Sequence, residues 1–185
     1  MWRHHDFFMK PLSGGNPYGD ARRNLEELGK GAAEFPSMVM LNAAPARALP
    51  AELLAQVDVL IVNQPECEAI ARGRDPDMLG VPTVVVTRGA EGASLHRAGR
   101  VRQIAAFPVE AVDSVGAGDA FTGALATRWA EHQTAGMLDD AGVFDAVCWA
   151  CAAGAITTTR AGAMPALARR AEVVRLLRTI DGGAA

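Results

Sequence analysis

Asp113-Ser-Val-Gly-Ala-Gly-Asp119-Ala-Phe-Thr-Gly-Ala-Leu-Ala126 is the stretch whose residue types and spacing best support chemistry. Gly116, Ala117 and Gly118 are three small residues directly before an apolar run of helical length. Their backbone N–H groups can converge on one point with little side chain in the way. The N-terminus of the helix that follows adds partial positive charge. The product is an anion hole made of backbone. Asp119 falls in the first turn of the same helix. A carboxylate beside such a hole is arranged to take a proton from an attacking hydroxyl while the hole receives negative charge. Phosphoryl transfer asks for that pairing, because its catalysis is mostly positioning and charge stabilisation. This chemistry requires Asp119 to border a cleft. The same spacing equally fits an ordinary helix whose acidic first turn complements the helix dipole. Other glycine motifs fail. A dinucleotide fingerprint needs glycine at 121, where Phe121 stands, which disfavours a nicotinamide-dependent oxidoreductase. A Walker loop needs Gly-Lys-Ser/Thr, and the only lysines are Lys10 and Lys30.

Positioning this stretch requires a scaffold, and the hydrophobic pattern outlines one. Met38–Asn42 and Val57–Val62 read as short buried strands, the second ending at Asn63. Thr83–Thr87 is a β-branched strand. Ala93–Leu95 and Val101–Ala105 suggest a hairpin around Ala98-Gly99. Helices are expected at Pro50–Gln56, Glu66–Arg72, Gly118–His132, Asp140–Thr158 and Arg169–Ile180. Apolar strands alternating with helices predict an α/β fold, a mostly parallel sheet with helices on both faces. Residues 1–36 read as an irregular N-terminal segment. Ser13–Gly19 has loop composition, and glycines weaken a short helix at 24–35. Residues 37–185 form the domain proper.

Composition narrows the functional classes. With 185 residues, half hydrophobic and 21% charged, the chain suits one globular domain and not a disordered one. A formal net charge of −3 argues against a nucleic-acid partner. No uncharged apolar stretch of eighteen residues occurs, so no membrane span is expected, and the start lacks the apolar core of a signal peptide. Three cysteines, Cys67, Cys148 and Cys151, make a disulfide framework improbable and a cytoplasmic location the expectation. Cys148 and Cys151 share a helix face and read as core, as do Phe121, Trp129 and Trp149. Arg169-Arg170 reads as a solvated face, and His4-His5-Asp6 as an inert tail.

Asp113–Ala126 resembles, along its whole length, the C-terminal signature of the ribokinase-like (PfkB) carbohydrate kinases. Other pieces follow in the family's order. Leu41-Asn-Ala-Ala-Pro-Ala-Arg47 and Leu49-Pro-Ala-Glu-Leu-Leu54 resemble the ribokinase subgroup. Asn63-Gln-Pro-Glu66 is similar to the Asn-x-x-Glu motif, Thr87-Arg-Gly-Ala-Glu-Gly92 to the nucleotide loop, and Thr159-Arg-Ala-Gly162 with Pro165 to the C-terminal loop. The resemblance implies a ribokinase-like fold and ATP-dependent phosphorylation of a sugar, ribose first, with sugar and ATP as small-molecule partners. It implies Asp119 as general base and sugar contact, with Gly116, Ala117 and Gly118 as the hole. It implies that Thr87, Arg88, Gly89, Ala90, Glu91 and Gly92, together with Asn63, Gly118, Asp119 and Cys151, contact the nucleotide. Asn63 and Glu66 hold Mg²⁺ through water in this reading, although Asn63 equally reads as a helix cap with Pro65 in the first turn. Asp113, Val115, Thr157, Arg160, Gly162 and Ala166 are implied to surround K⁺, mostly through backbone carbonyls.

The chain also departs from the family. The N-terminal half that carries the sugar-gripping glycine pair and the small β lid is not identifiable; Ser13-Gly-Gly-Asn16, Gly19 and Glu26 are poor substitutes. Cys151 stands where relatives often carry Asn or His near adenine, and Ala166 where a serine is frequent. A sheet without its first strands exposes an apolar edge, so a covering partner or a homo-oligomer is expected. The alternative to a working kinase is a silent remnant that binds nucleotide or a protein partner.

Overall fold

A computed structural model of the protein describes residues 38–181. The expectations on residues 1–36 lie outside that range. Five strands form one sheet in sequential order: β1 (Met40–Asn42), β2 (Val59–Asn63), β3 (Thr83–Thr87), β4 (Ala93–Arg97) and β5 (Arg100–Ile104). β1–β2 and β2–β3 are parallel, while β3–β4 and β4–β5 are antiparallel, so the expected hairpin completes a mixed sheet. Among the described residues five helices accompany it: α1 (Ala51–Leu54), α2 (Gln64–Ala71), α3 (Ala117–Thr134), α4 (Asp140–Thr158) and α5 (Arg170–Asp181). A short 3₁₀ turn, Pro76–Leu79, precedes β3.

The two faces of the sheet are covered separately, which is why β2 and β3 read as unbroken apolar runs. Leu60, Val62, Val84 and Val86 point to one face and form a core with Leu54, Cys67, Ile70 and Leu79 from α1, α2 and the 3₁₀ turn. The alternate residues Val59, Ile61, Val85 and Leu95 are also buried, on the face that α4 covers. Trp149, Ala152, Ala153 and Ile156 of α4 pack in turn against Val173 and Leu177 of α5. Phe121 and Trp129 are buried on α3, as their helical spacing predicted. By length and composition α4 could cross a membrane, but it is a core helix packed against α3, α5 and the sheet, with 61% of its apolar window buried.

Several boundaries shift for local reasons. The first strand starts at Met40, two residues later than expected, because Val39 is held by the Asp58 carboxylate (N···O 2.7 Å). The second starts at Val59, and α2 begins at Gln64 because Asn63 caps it. α3 begins at Ala117, one residue early, on a glycine cap at Gly116.

Side-chain links set the direction of the long helices. Arg97, at the end of β4, donates to Thr83 Oγ1 at the start of β3 (2.7 Å) and to Asp140 at the start of α4 (3.1 Å). α4 therefore starts at the amino ends of the parallel strands. Its 19 residues carry it about 28 Å towards their carboxyl ends. α3 runs antiparallel beside it. Arg128 and His132, late in α3, both reach Asp145 near the start of α4 (2.7 Å each). At the other end the Ala117 carbonyl sits against Gly154, where a Cβ would lie 3.3 Å from it. The first turn of α3 is thereby delivered to the carboxyl ends of β2 and β3, where open α/β sheets place ligands.

Candidate active site

Asn63 and Thr87 are register partners at the carboxyl ends of β2 and β3, so two of the sequence motifs lie side by side. Asn63 Oδ1 accepts from the Glu66 N–H (2.9 Å), and Glu66 Oε2 accepts from the Asn63 N–H (2.8 Å). That is a reciprocal capping box, with Pro65 inside the first turn. The cap reading of Asn63 is realised. Each side chain still keeps oxygen lone pairs beyond those bonds. Asn63 is exposed and Glu66 is buried.

The Thr87–Gly92 segment forms a tight turn between β3 and β4. Arg88 N–H donates to the Gly92 carbonyl (2.8 Å), and Gly92 N–H donates to the Gly89 carbonyl (3.1 Å). Gly89 and Gly92 have φ of 55° and 89°. At Gly92 a Cβ would lie 2.0 Å from the Ile104 carbonyl oxygen, so only glycine fits. Thr87 Oγ1 donates to the Val62 carbonyl (3.3 Å), and Arg88 Nη2 donates to Ser94 Oγ (3.4 Å).

Gly116 caps α3 with φ 80°, and a Cβ there would meet Ala163 at 3.1–3.2 Å. The expected three-amide hole needs one correction. The Ala117 N–H is committed to the Ser114 carbonyl (3.2 Å), as the turn into the helix demands. The N–H groups of Gly116 and Gly118, two of the three expected, and that of Asp119 have no backbone acceptor among the described residues. Asp119 is the third residue of the helix, beside those amides. It is exposed, and neither of the two best-formed cavities includes it; one runs along α5 past Arg170 and Val174, the other lies at the opposite end near Asp77 and Asp140. Asp119 therefore faces solvent in the described residues.

Asp113 organises this end. Its Oδ1 accepts from Val115 N–H (3.0 Å) and its Oδ2 from Gly162 N–H (2.8 Å), while the backbone N–H groups of Val112 and Asp113 both donate to the Thr158 carbonyl. The Val115 and Gly162 bonds hold the Asp113 carboxyl below its ordinary range. Three of the six expected K⁺ contacts, Asp113, Val115 and Gly162, are therefore adjacent. The other side chains are engaged elsewhere. Thr157 Oγ1 is buried on the Ala153 carbonyl (2.9 Å), the Arg160 guanidinium pairs with Glu172, and Ala166 is fully buried with its N–H on Ala163. Only their backbone carbonyls are left to serve a cation. Thr158 escaped the sequence reading because it acts through its carbonyl, which no residue type announces.

Cys151 lies one turn before Gly154, on the helix that backs the start of α3. Burial pushes its thiol up to about 12 and that of Cys148 up to about 11, so both stay protonated and behave as packing groups.

Comparison with known proteins agrees with the fold. A model of the pfkB family carbohydrate kinases matches residues 18–169. A ribokinase of Haemophilus influenzae is 32% identical over 151 residues, covering 75% of this chain and 47% of that protein. Fructokinase-2 of Solanum habrochaites is 40% identical over 101 residues, covering 55% of this chain and 30% of that protein. Among solved structures, the ribokinase of Thermotoga maritima superposes with TM-score 0.70 at 30% identity, over 83% of this chain and 53% of that one. The Arabidopsis thaliana ribokinase complexed with ribose and ATP gives 0.71 at 25% identity, over 84% and 52%. The chain thus spans about half the length of the ribokinases it matches. The capped Asn-x-x-Glu motif and the Thr87–Gly92 turn lie side by side on a ribokinase-like sheet, the family model covers most of the chain, and the chain belongs to the PfkB family of carbohydrate kinases.

Proposed function

We propose that this chain transfers the γ-phosphoryl group of ATP to a primary hydroxyl of ribose. The observation that carries the proposal is the first turn of α3, where the Gly118 and Asp119 N–H groups lack backbone acceptors beside the Asp119 carboxylate. Asp119 takes the proton from the sugar hydroxyl. The two amides and the helix N-terminus stabilise charge on the group in transit. Thr87–Gly92 lies along the nucleotide, with Gly89 and Gly92 keeping side chains out of its path, and Cys151 contributes apolar surface near the base. Ribose is put first because Leu41–Arg47 and Leu49–Leu54 resemble the ribokinase subgroup.

The donor set suits the ions that such chemistry uses. Asn63 and Glu66 keep free oxygen lone pairs after capping one another, which suits Mg²⁺ held through water. Mg²⁺ supplies charge neutralisation for the phosphates when bound. Asp113 brings the Val115 and Gly162 loops together, and their carbonyls suit K⁺. A cytoplasmic location and a partner or second copy over the open end complete the proposal. Exposed Val112, Val115 and Met164 around Asp113 support such a covering layer.

One observation favours a second reading, nucleotide binding without transfer: Asp119 is exposed in the described residues. A coupled assay with ATP, magnesium, potassium and ribose separates the two. Turnover well above an Asp119→Ala control supports transfer. Turnover equal to that control, with ATP still bound, supports the second reading.

A further inference from the structure

We propose a Zn²⁺-type metal site formed by His96, Asp75 and Asp77, at the amino end of the sheet and remote from Asp119. β4 alternation places Ser94 and His96 on the face that α2 covers, opposite Val86 and Val84. His96 is 7% exposed. Its Nε2 lies 3.1 Å from Ser94 Oγ. Its Nδ1 is buried and makes no hydrogen bond among the described residues. That atom faces two carboxylates, Asp77 Oδ1 at 3.8 Å and Asp75 Oδ1 at 4.0 Å. Both separations are too long for a hydrogen bond. A bare Nδ1 lone pair facing two anions is unfavourable, and a buried N–H with no acceptor in reach is unfavourable too. A cation held by all three groups removes either penalty.

The surroundings match what a metal-binding histidine needs. The three candidate ligand atoms lie within 4.8 Å of one another. Tetrahedral zinc with N and O ligands sets neighbouring ligand atoms about 3.3 Å apart. The two aspartates sit on the exposed side of the 3₁₀ turn, so small side-chain rotations bring them to that spacing. Asp75 already caps the turn by accepting from Asp77 N–H (3.0 Å), and Pro76 between them stiffens it. With Nδ1 on a metal, Nε2 carries the ring proton and would donate to Ser94 Oγ, 3.1 Å away, which also accepts from Arg88 (3.4 Å); such a partner orients a ligating imidazole. One imidazole and two carboxylates suit Zn²⁺ with one position left to solvent. Mg²⁺ prefers an all-oxygen shell, so the site is distinct in chemistry as well as in place from the nucleotide end. Occupied, it pins the turn before β3 to β4.

The test is ZnCl₂ titration of the EDTA-stripped full chain by calorimetry, with parallel thermal melts. His4→Gln and His5→Gln are introduced throughout to remove the paired N-terminal histidines. The expected result is one equivalent of zinc bound and a higher melting temperature. Because Asp75 and Asp77 are exposed, the Asp75→Asn/Asp77→Asn variant keeps the fold, and it should bind zinc weaker by about tenfold or more. His96→Gln should lose the site. No zinc uptake by the parent, or uptake unchanged in the double aspartate variant, overturns the proposal. Neither outcome bears on sugar phosphorylation.

Discussion

Replacing Gly92 with alanine probes the turn on which the nucleotide loop depends. Gly92 has φ 89° and ψ −129°, a region open essentially to glycine. Holding alanine there costs about 1–3 kcal/mol. The added methyl also meets backbone, with the Ile104 oxygen at 2.0 Å and the Ala106 nitrogen at 2.7 Å. No flexible side chain can yield, so the end of β5 must move away from Ala93, its register partner. Overpacking of this kind adds about 1–3 kcal/mol. The sum, about 2–6 kcal/mol, reaches into the larger single-residue effects. For a body of this size it lowers the melting temperature by about 10 °C. Gly89→Ala is the internal control. Its φ is 55°, and nothing lies within 4 Å of the added Cβ. It costs about 1 kcal/mol, or roughly 3 °C. Thermal melts by circular dichroism at pH 7 compare the pair. If Gly92→Ala melts within about 2 °C of Gly89→Ala, the close approach to β5 is not what fixes this glycine.

Three other outcomes are expected. Asp119→Asn should lower kinase turnover by about 10²–10⁴-fold with little change in melting temperature, as a removed general base on an exposed position requires; unchanged turnover removes Asp119 from the chemistry. Asp113 has a carboxyl held low in the fold by Val115 and Gly162, so its stabilisation is fully present above the ordinary aspartate range and is lost as pH falls through the folded value; melts between pH 7 and 3 should show Asp113→Asn flattening that acid limb. Asp145→Asn should destabilise by about 1–2 kcal/mol in urea titrations, a figure discounted for partial exposure. Burial pushes the Asp145 carboxyl up, but hydrogen bonds from Arg128 and His132 more than offset it, so its contribution too fades as pH drops below the usual aspartate range. Equal urea midpoints for parent and variant would show that this contact does not tie α3 to α4.

The scaffold was legible in the sequence because its signals are local. Unbroken apolar runs at Val59–Val62 and Thr83–Val86 encode strands covered on both faces, and Asn63 with Pro65 encodes a helix start. The glycine cap at Gly116 and the hairpin at Ala98-Gly99 are equally local, both with φ above 50°. What escaped depends on contacts across the chain. His96 looks like an ordinary strand residue until the 3₁₀ turn, some twenty positions earlier, brings Asp75 and Asp77 to it. Asp145 shows no sign in its own neighbourhood that Arg128 and His132 converge on it.

Asp113 marks where residue type and role separate. The family resemblance implies Asp113 as a contact for a cation. The geometry gives both its oxygens to amides 2.8–3.0 Å away, one just before α3 and one just after α4. The carboxylate thereby ties the lead-in to the first turn of α3 to the loop after α4, without any ion. A second tie acts on the same two segments, the Thr158 carbonyl receiving the Val112 and Asp113 N–H groups. A third is steric, since Gly116 fits against Ala163 only without a side chain. Three independent contacts across this junction leave the orientation of Gly118 and Asp119 little freedom. The amides are therefore held in place by the chain itself, the condition under which, in the proposed transfer, backbone dipoles would stabilise charge without reorganising.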